Sequence, residues 1–170
     1  MAYEIRQFGD PVLKSRAAPV RGFDDSLRRL TNGMLATLRA GEGRAAIAAN
    51  QVGVLKRVFV AEMDGRVYVV VNPVVEVRAP ETETDVEGCL SVPGVGVEVE
   101  RHLEVVVSGK DVHGGPVRYE AGGEVARMMQ HEIDHLDGTL MFDRAKPEAR
   151  KAAMKQWREQ LLERAGKRPG

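Results

Sequence analysis

The chain has 170 residues, 43% of them hydrophobic and 29% charged, the proportions of a globular protein with enough apolar side chains for one substantial core. Its 25 basic and 25 acidic residues cancel, so no overall positive field favours nucleic acid or an anionic membrane as the main partner. No apolar run approaches the roughly 20 residues of a membrane span, the first residues lack a signal-peptide layout, and the one cysteine, Cys89, cannot form an intramolecular disulfide; a cytoplasmic, monomeric, single-domain protein over residues 1–170 is expected.

Residues 9–20 hold two prolines and a glycine among mixed polar residues and read as an extended, turning arm. From Asp24 the apolar positions Leu27, Leu30, Met34, Leu35 and Leu38 recur at helical spacing, with Gly41 beyond the end, which predicts an amphipathic helix. The middle of the chain changes period. VFVAEM, RVYVVVNPVVEV and LEVVVSG are rich in β-branched residues, and Asp64-Gly65 between the first two is a hairpin signal. His113-Gly-Gly-Pro116 turns the chain into a further strand, VRYEA. After Gly122-Gly123, the positions Val125, Met128, Met129 and Ile133 suit a buried helix, with Gly138 at its C-cap. Pro147 opens a last helix whose apolar stripe is Ala153, Met154, Trp157, Leu161 and Leu162, and AGKRPG ends the chain as a frayed tail. The fold expected is α+β: mainly antiparallel sheets packed around a central helix, with an N-terminal and a C-terminal helix.

That central helix carries His131-Glu-Ile-Asp-His135, an H-E-x-x-H pattern. Histidines four apart project from one helix face, so both imidazoles can reach one ion, and Glu132 stands beside the first ligand as an acid/base for a water on that ion. A catalytic site needs a third protein ligand and an open position. No histidine follows His135, and downstream acids such as Asp143 and Glu148 look like solvated faces. Cys89, in the glycine-containing bend EGCLS, is the better-placed third ligand. His102 and His113 read as an exposed strand residue and a turn residue with no role.

EGCLS followed by SVPG, then QHEIDHLDG, resemble two of the three signature motifs of the peptide deformylase family. The third is matched in part by Arg44-Ala-Ala-Ile-Ala-Ala-Asn-Gln51: Ala48, Ala49 and Gln51 fit, while Arg44 and Ala46 stand where the family has glycine. The resemblance extends over nearly the whole chain, including GDPVL and Asn72-Pro73. It implies a metal-dependent hydrolase that removes the N-formyl group, as formate, from the initiator methionine of nascent polypeptides at the ribosome exit. It also implies ferrous iron as the cellular ion, with zinc, nickel or cobalt in purified protein.

Further roles follow from the resemblance. The Gln51 amide and the Leu90 backbone N–H would form the oxyanion hole. The peptide would lie extended along a strand near Ala46 and Ile47, with Val86, Met128 and His131 around the methionine side chain. Arg101 would lie near the substrate backbone. The added methyl of Ala46 and the side chain of Arg44 leave room for a different N-formyl substrate. A non-catalytic binding module of the same fold is opposed by the intact ligand set, and a general metallopeptidase by a thiolate ligand.

Overall fold

A computed structural model describes residues 1–167. The expected helix forms as α1, Asp25–Arg39, where the Asp24 side chain caps the first turn by accepting from the Leu27 N–H. Its stripe of Leu27, Leu30, Met34 and Leu38 is buried against Ile47, Val58 and Val60. A short strand β1, Ala46–Ala48, follows, and a single 3-10 turn, Ala49–Val52, carries Gln51.

The strands β2, Val58–Met63, and β3, Arg66–Arg78, meet at the Asp64-Gly65 turn. Both turn residues have positive φ, 52° and 75°, the conformation that a tight hairpin with matching strand twist requires. The strand β3 is bent at Asn72, whose side chain pairs with both the N–H and the C=O of Val20. It pairs with β6, Glu104–Lys110, which pairs in turn with β7, Pro116–Gly122. These make one antiparallel sheet in the order β1-β2-β3-β6-β7, so β1 has one free edge. A separate hairpin joins β4, Thr82–Cys89, to β5, Val92–His102.

The helix α2, Gly123–Leu136, is the buried element that touches strands of both sheets. Ala126, Met129, Ile133 and Leu136 enter a cluster with Phe59, Ala61, Val105 and Val107. Gly138 ends it with φ of 73°, where a Cβ would come within 2.6 Å of the Lys14 carbonyl oxygen, so only glycine fits. A short turn α3, Met141–Arg144, leads to α4, Pro147–Lys167.

Three expectations change. The stripe on α4 is buried only through Ala153 and Trp157, which pack on Val92–Val99 of β5 and on Phe142; beyond that sheet edge the helix runs into solvent, leaving Leu161 and Leu162 exposed. Residues 165–167 of the expected tail continue α4, and the rest of that tail lies outside the described residues. His102 is half-buried, its Nδ1 2.7 Å from the Ala79 carbonyl oxygen, and His113 sits in the turn before β7. No helix of the described residues is long and apolar enough to cross a membrane.

Candidate active site

The helix α2 presents His131 and His135 one turn apart, with their Nε2 atoms 3.1 Å from each other. Cys89, at the end of β4, brings its Sγ to 3.3 Å from His135 Nε2. The three ligand atoms lie within 4.8 Å of one another and form a metal-binding group for one ion. A thiolate with two imidazoles, three protein donors in all, leaves a fourth position open in a four-coordinate site.

Behind His131 stands a buried ionic network. Glu87 Oε1 lies 2.8 Å from His131 Nδ1, which fixes the ring and turns Nε2 toward the other ligands. Glu87 in turn accepts from Arg101 at 2.7 and 3.0 Å and from Arg127 at 2.9 Å. Arg101 also donates to Asp134 at 2.6 Å, and Asp134 accepts from Arg144. This corrects the placement of Arg101 near a substrate. It is 6% exposed, does not line the cleft, and its guanidinium is held by two carboxylates on the far side of the ligand His131.

Gln51 is 1% exposed. Its Oε1 accepts from the Ala48 N–H at 2.9 Å, and its Nε2 donates to Ser91 Oγ at 3.1 Å and points at Cys89 Sγ, 3.6 Å away. Leu90 lies in the turn between β4 and β5, and its N–H has no acceptor among the described residues. Two backbone bonds from the N-terminal arm hold this corner: the Arg6 N–H donates to the Gln51 carbonyl and the Phe8 N–H to the Ser91 carbonyl. Asn50 Nδ2 donates to the carbonyl of His135 at 2.7 Å, tying the same turn to α2.

A cleft of about 1080 Å³ opens over these groups, lined among others by Ala46, Gln51, Val86, Cys89, Leu90, Met128, His131 and Glu132. One Glu132 oxygen, Oε2, is buried without a hydrogen-bond partner. The Ile47 side chain is wholly buried beneath α1. On β1 the Ala45 carbonyl accepts from the Glu62 N–H, and alternation along an antiparallel strand then turns the N–H and C=O of Ala46 and Ala48 to the free edge. Val86 is 59% exposed at the cleft wall, and Met128 stands on α2 one turn before His131 and Glu132.

Arg44 folds back over Gly41 and donates to the Thr37 carbonyl at the end of α1, and the Ala46 methyl packs toward the cluster around Met128 and Met129. Both side chains are thereby accommodated where a glycine pattern is usual. Glu87, Arg127, Ser91 and Asn50 were not singled out from the sequence. Glu87 and Cys89 share one face of a strand by the two-residue period, and Arg127 precedes His131 by one helical turn, so the signal for two of them existed.

The charges are set by these contacts. Burial alone would raise Glu87, but hydrogen bonds from Arg101 and His131 bring it down to about 2. Burial pushes Glu132 up to about 7, against the pull of the His131 imidazole. Burial and the neighbouring His131 hold His135 well below the ordinary histidine range, so it is a neutral ring ready to donate a lone pair.

Residues 2–151 match the family model for polypeptide deformylase. Peptide deformylase 1 of Corynebacterium glutamicum is 49% identical over 155 residues, covering 89% of this chain and 91% of that protein. The crystal structure of peptide deformylase from Thermus thermophilus superposes with a TM-score of 0.88 at 41% identity, covering 96% of this chain and 97% of that one. The deformylase structure from Legionella pneumophila gives 0.91 at 33% identity, covering 99% and 100%. A cysteine and two histidines grouped to hold one ion, a buried carboxylate beside them and agreement over nearly the full length point the same way, and this chain belongs to the polypeptide deformylase family.

Proposed function

We propose that this protein hydrolyses the N-formyl group from the formyl-methionine of nascent polypeptides and releases formate. The observation that carries the reading is the Cys89, His131 and His135 group with the unpartnered, buried Glu132 carboxylate oxygen beside it in the cleft. The donor set fits one divalent ion: a thiolate and two imidazoles suit ferrous iron or zinc, and nickel and cobalt fit the same ligands. Ferrous iron is the cellular ion in this reading. Once bound, it supplies Lewis acidity, lowering the pKa of a water and polarising the formyl oxygen.

The protein's own groups do the rest. Glu132 takes a proton from the attacking water and returns it to the amine nitrogen as the C–N bond breaks. Its raised proton affinity suits both steps, and a bound cation would pull that affinity back down. The Gln51 side-chain amide and the Leu90 N–H supply donors where negative charge develops on the formyl oxygen. The outward N–H and C=O of Ala46 on the free edge of β1 pair with an extended peptide, as strand addition does, and Val86 and Met128 flank the methionine side chain. The protein acts in the cytoplasm as a single-domain monomer, close to the ribosome exit where formylated N-termini emerge.

The test is formate release from a short formyl-methionyl peptide by protein purified without oxygen, before and after chelation and after reloading with ferrous iron or nickel. Turnover that follows metal content supports the reading. Folded, metal-loaded protein without turnover overturns it.

A further inference from the structure

We propose that Ser91 is a positioning residue that aims the Gln51 amide at the reacting formyl oxygen. The inference rests on the oxyanion role proposed for Gln51. The amide orientation is settled by its partners: the Ala48 N–H can meet only an acceptor, so Oε1 must be the atom at 2.9 Å and Nε2 the atom on the Cys89 side. That bond holds the amide at its oxygen alone, about a last torsion whose minima are broad.

Ser91 Oγ, 3.1 Å from Nε2 and on a fully buried residue, holds the nitrogen end and narrows the torsion further. Of the two Nε2 hydrogens, one is taken by Ser91 and the other is left directed at Cys89 Sγ, at the corner of the cleft lined by Cys89 and Leu90. The serine follows Leu90 directly, so one turn between β4 and β5 supplies a backbone donor and the anchor for the other donor. The Phe8 N–H bond to the Ser91 carbonyl fixes the turn itself.

A donor of this kind matters in the transition state more than in the ground state, so its misalignment appears in kcat and spares KM. In metal-loaded protein, Ser91→Ala should lower kcat about tenfold and leave KM within about twofold. In a Gln51→Ala background it should cost nothing further, because there is no amide left to aim. Independently of turnover, the Gln51 side-chain amide protons of zinc-loaded protein should exchange with solvent about tenfold faster in Ser91→Ala than in the parent, read by nitrogen-15 NMR.

Unchanged kcat and unchanged exchange in Ser91→Ala, or an equal loss in the Gln51→Ala background, would overturn the proposal. Near-full turnover by Gln51→Ala alone removes the oxyanion role and the proposal with it, whereas a large loss there with none in Ser91→Ala overturns the proposal only. If Ser91→Ala fails to fold or hold metal, Ser91→Cys, close in size but a poor acceptor, carries the same comparison.

Discussion

Glu87 Oε1 lies 2.8 Å from His131 Nδ1, so the orientation of a metal ligand is set by a carboxylate on another element of the fold. Removing Glu87 therefore does two things. Metal affinity should fall about 10- to 100-fold in Glu87→Ala, the usual cost of losing an outer-shell partner. Because Arg101 and Arg127 would be left buried without their shared carboxylate, stability should also fall by about 3–5 kcal/mol. Metal content after dialysis and thermal melting of the chelated protein separate the two effects.

The same carboxyl predicts a pH dependence. Its folded value, about 2, lies below the ordinary 4.5, so the ionised form favours the fold. The contribution is complete above about pH 4.5 and is lost as pH falls toward about 2. Chelated parent protein should lose its advantage in Tm over Glu87→Gln across that interval, as circular dichroism melts would record; a constant gap would contradict the assignment.

Glu132→Ala should keep its metal, because the three ligands are untouched, while formate release falls by about 10²–10⁴. Metal analysis and a formate assay on one preparation decide this. Near-parental turnover would remove Glu132 from the proton transfers.

Cys89→Ala has the opposite signature. With two imidazoles left, the ion should be lost to a mild chelator and turnover with it, while the fold persists, since Cys89 is only half-buried at the rim of its cluster. Metal content against the circular dichroism spectrum tests this; retention of stoichiometric metal would argue for a different third ligand.

The unequal burial along α4 is also testable. Trp157 fills the cluster with Phe142 and the valines of β5, so Trp157→Ala should cost about 3–5 kcal/mol. Leu162, 73% exposed, should tolerate Leu162→Glu within about 0.5 kcal/mol. Urea titrations of both variants measure the difference.

Much of this was legible in the residues because the controlling rules are local. The α1 stripe, the Asp64-Gly65 turn and the paired histidines of α2 each follow from spacing within one element. The burial of Arg101 was not legible, because it depends on residues distant in sequence. Val95, Val97 and Val99 continue by alternation to Arg101, so the buried face of β5 ends on an arginine, and its burial depends on Glu87 and Asp134 arriving from elsewhere. Ile47 alternates with Ala46, and which of them meets the cleft depends on the side of the sheet that α1 covers. The hydroxyl of Ser91 had no local signal, since its partner lies 40 residues away in sequence.

The bonds from Arg6 and Phe8 to Gln51 and Ser91, with that from Asn50 to His135, bear on the order in which the protein is made. Synthesis runs from the N-terminus, so the arm, the Gln51 turn and the β4–β5 hairpin emerge well before α2. A partly synthesised chain thus holds Cys89 and the amide but neither imidazole. The centre can close only once α2, made after both of these and in contact with strands of both sheets, has docked.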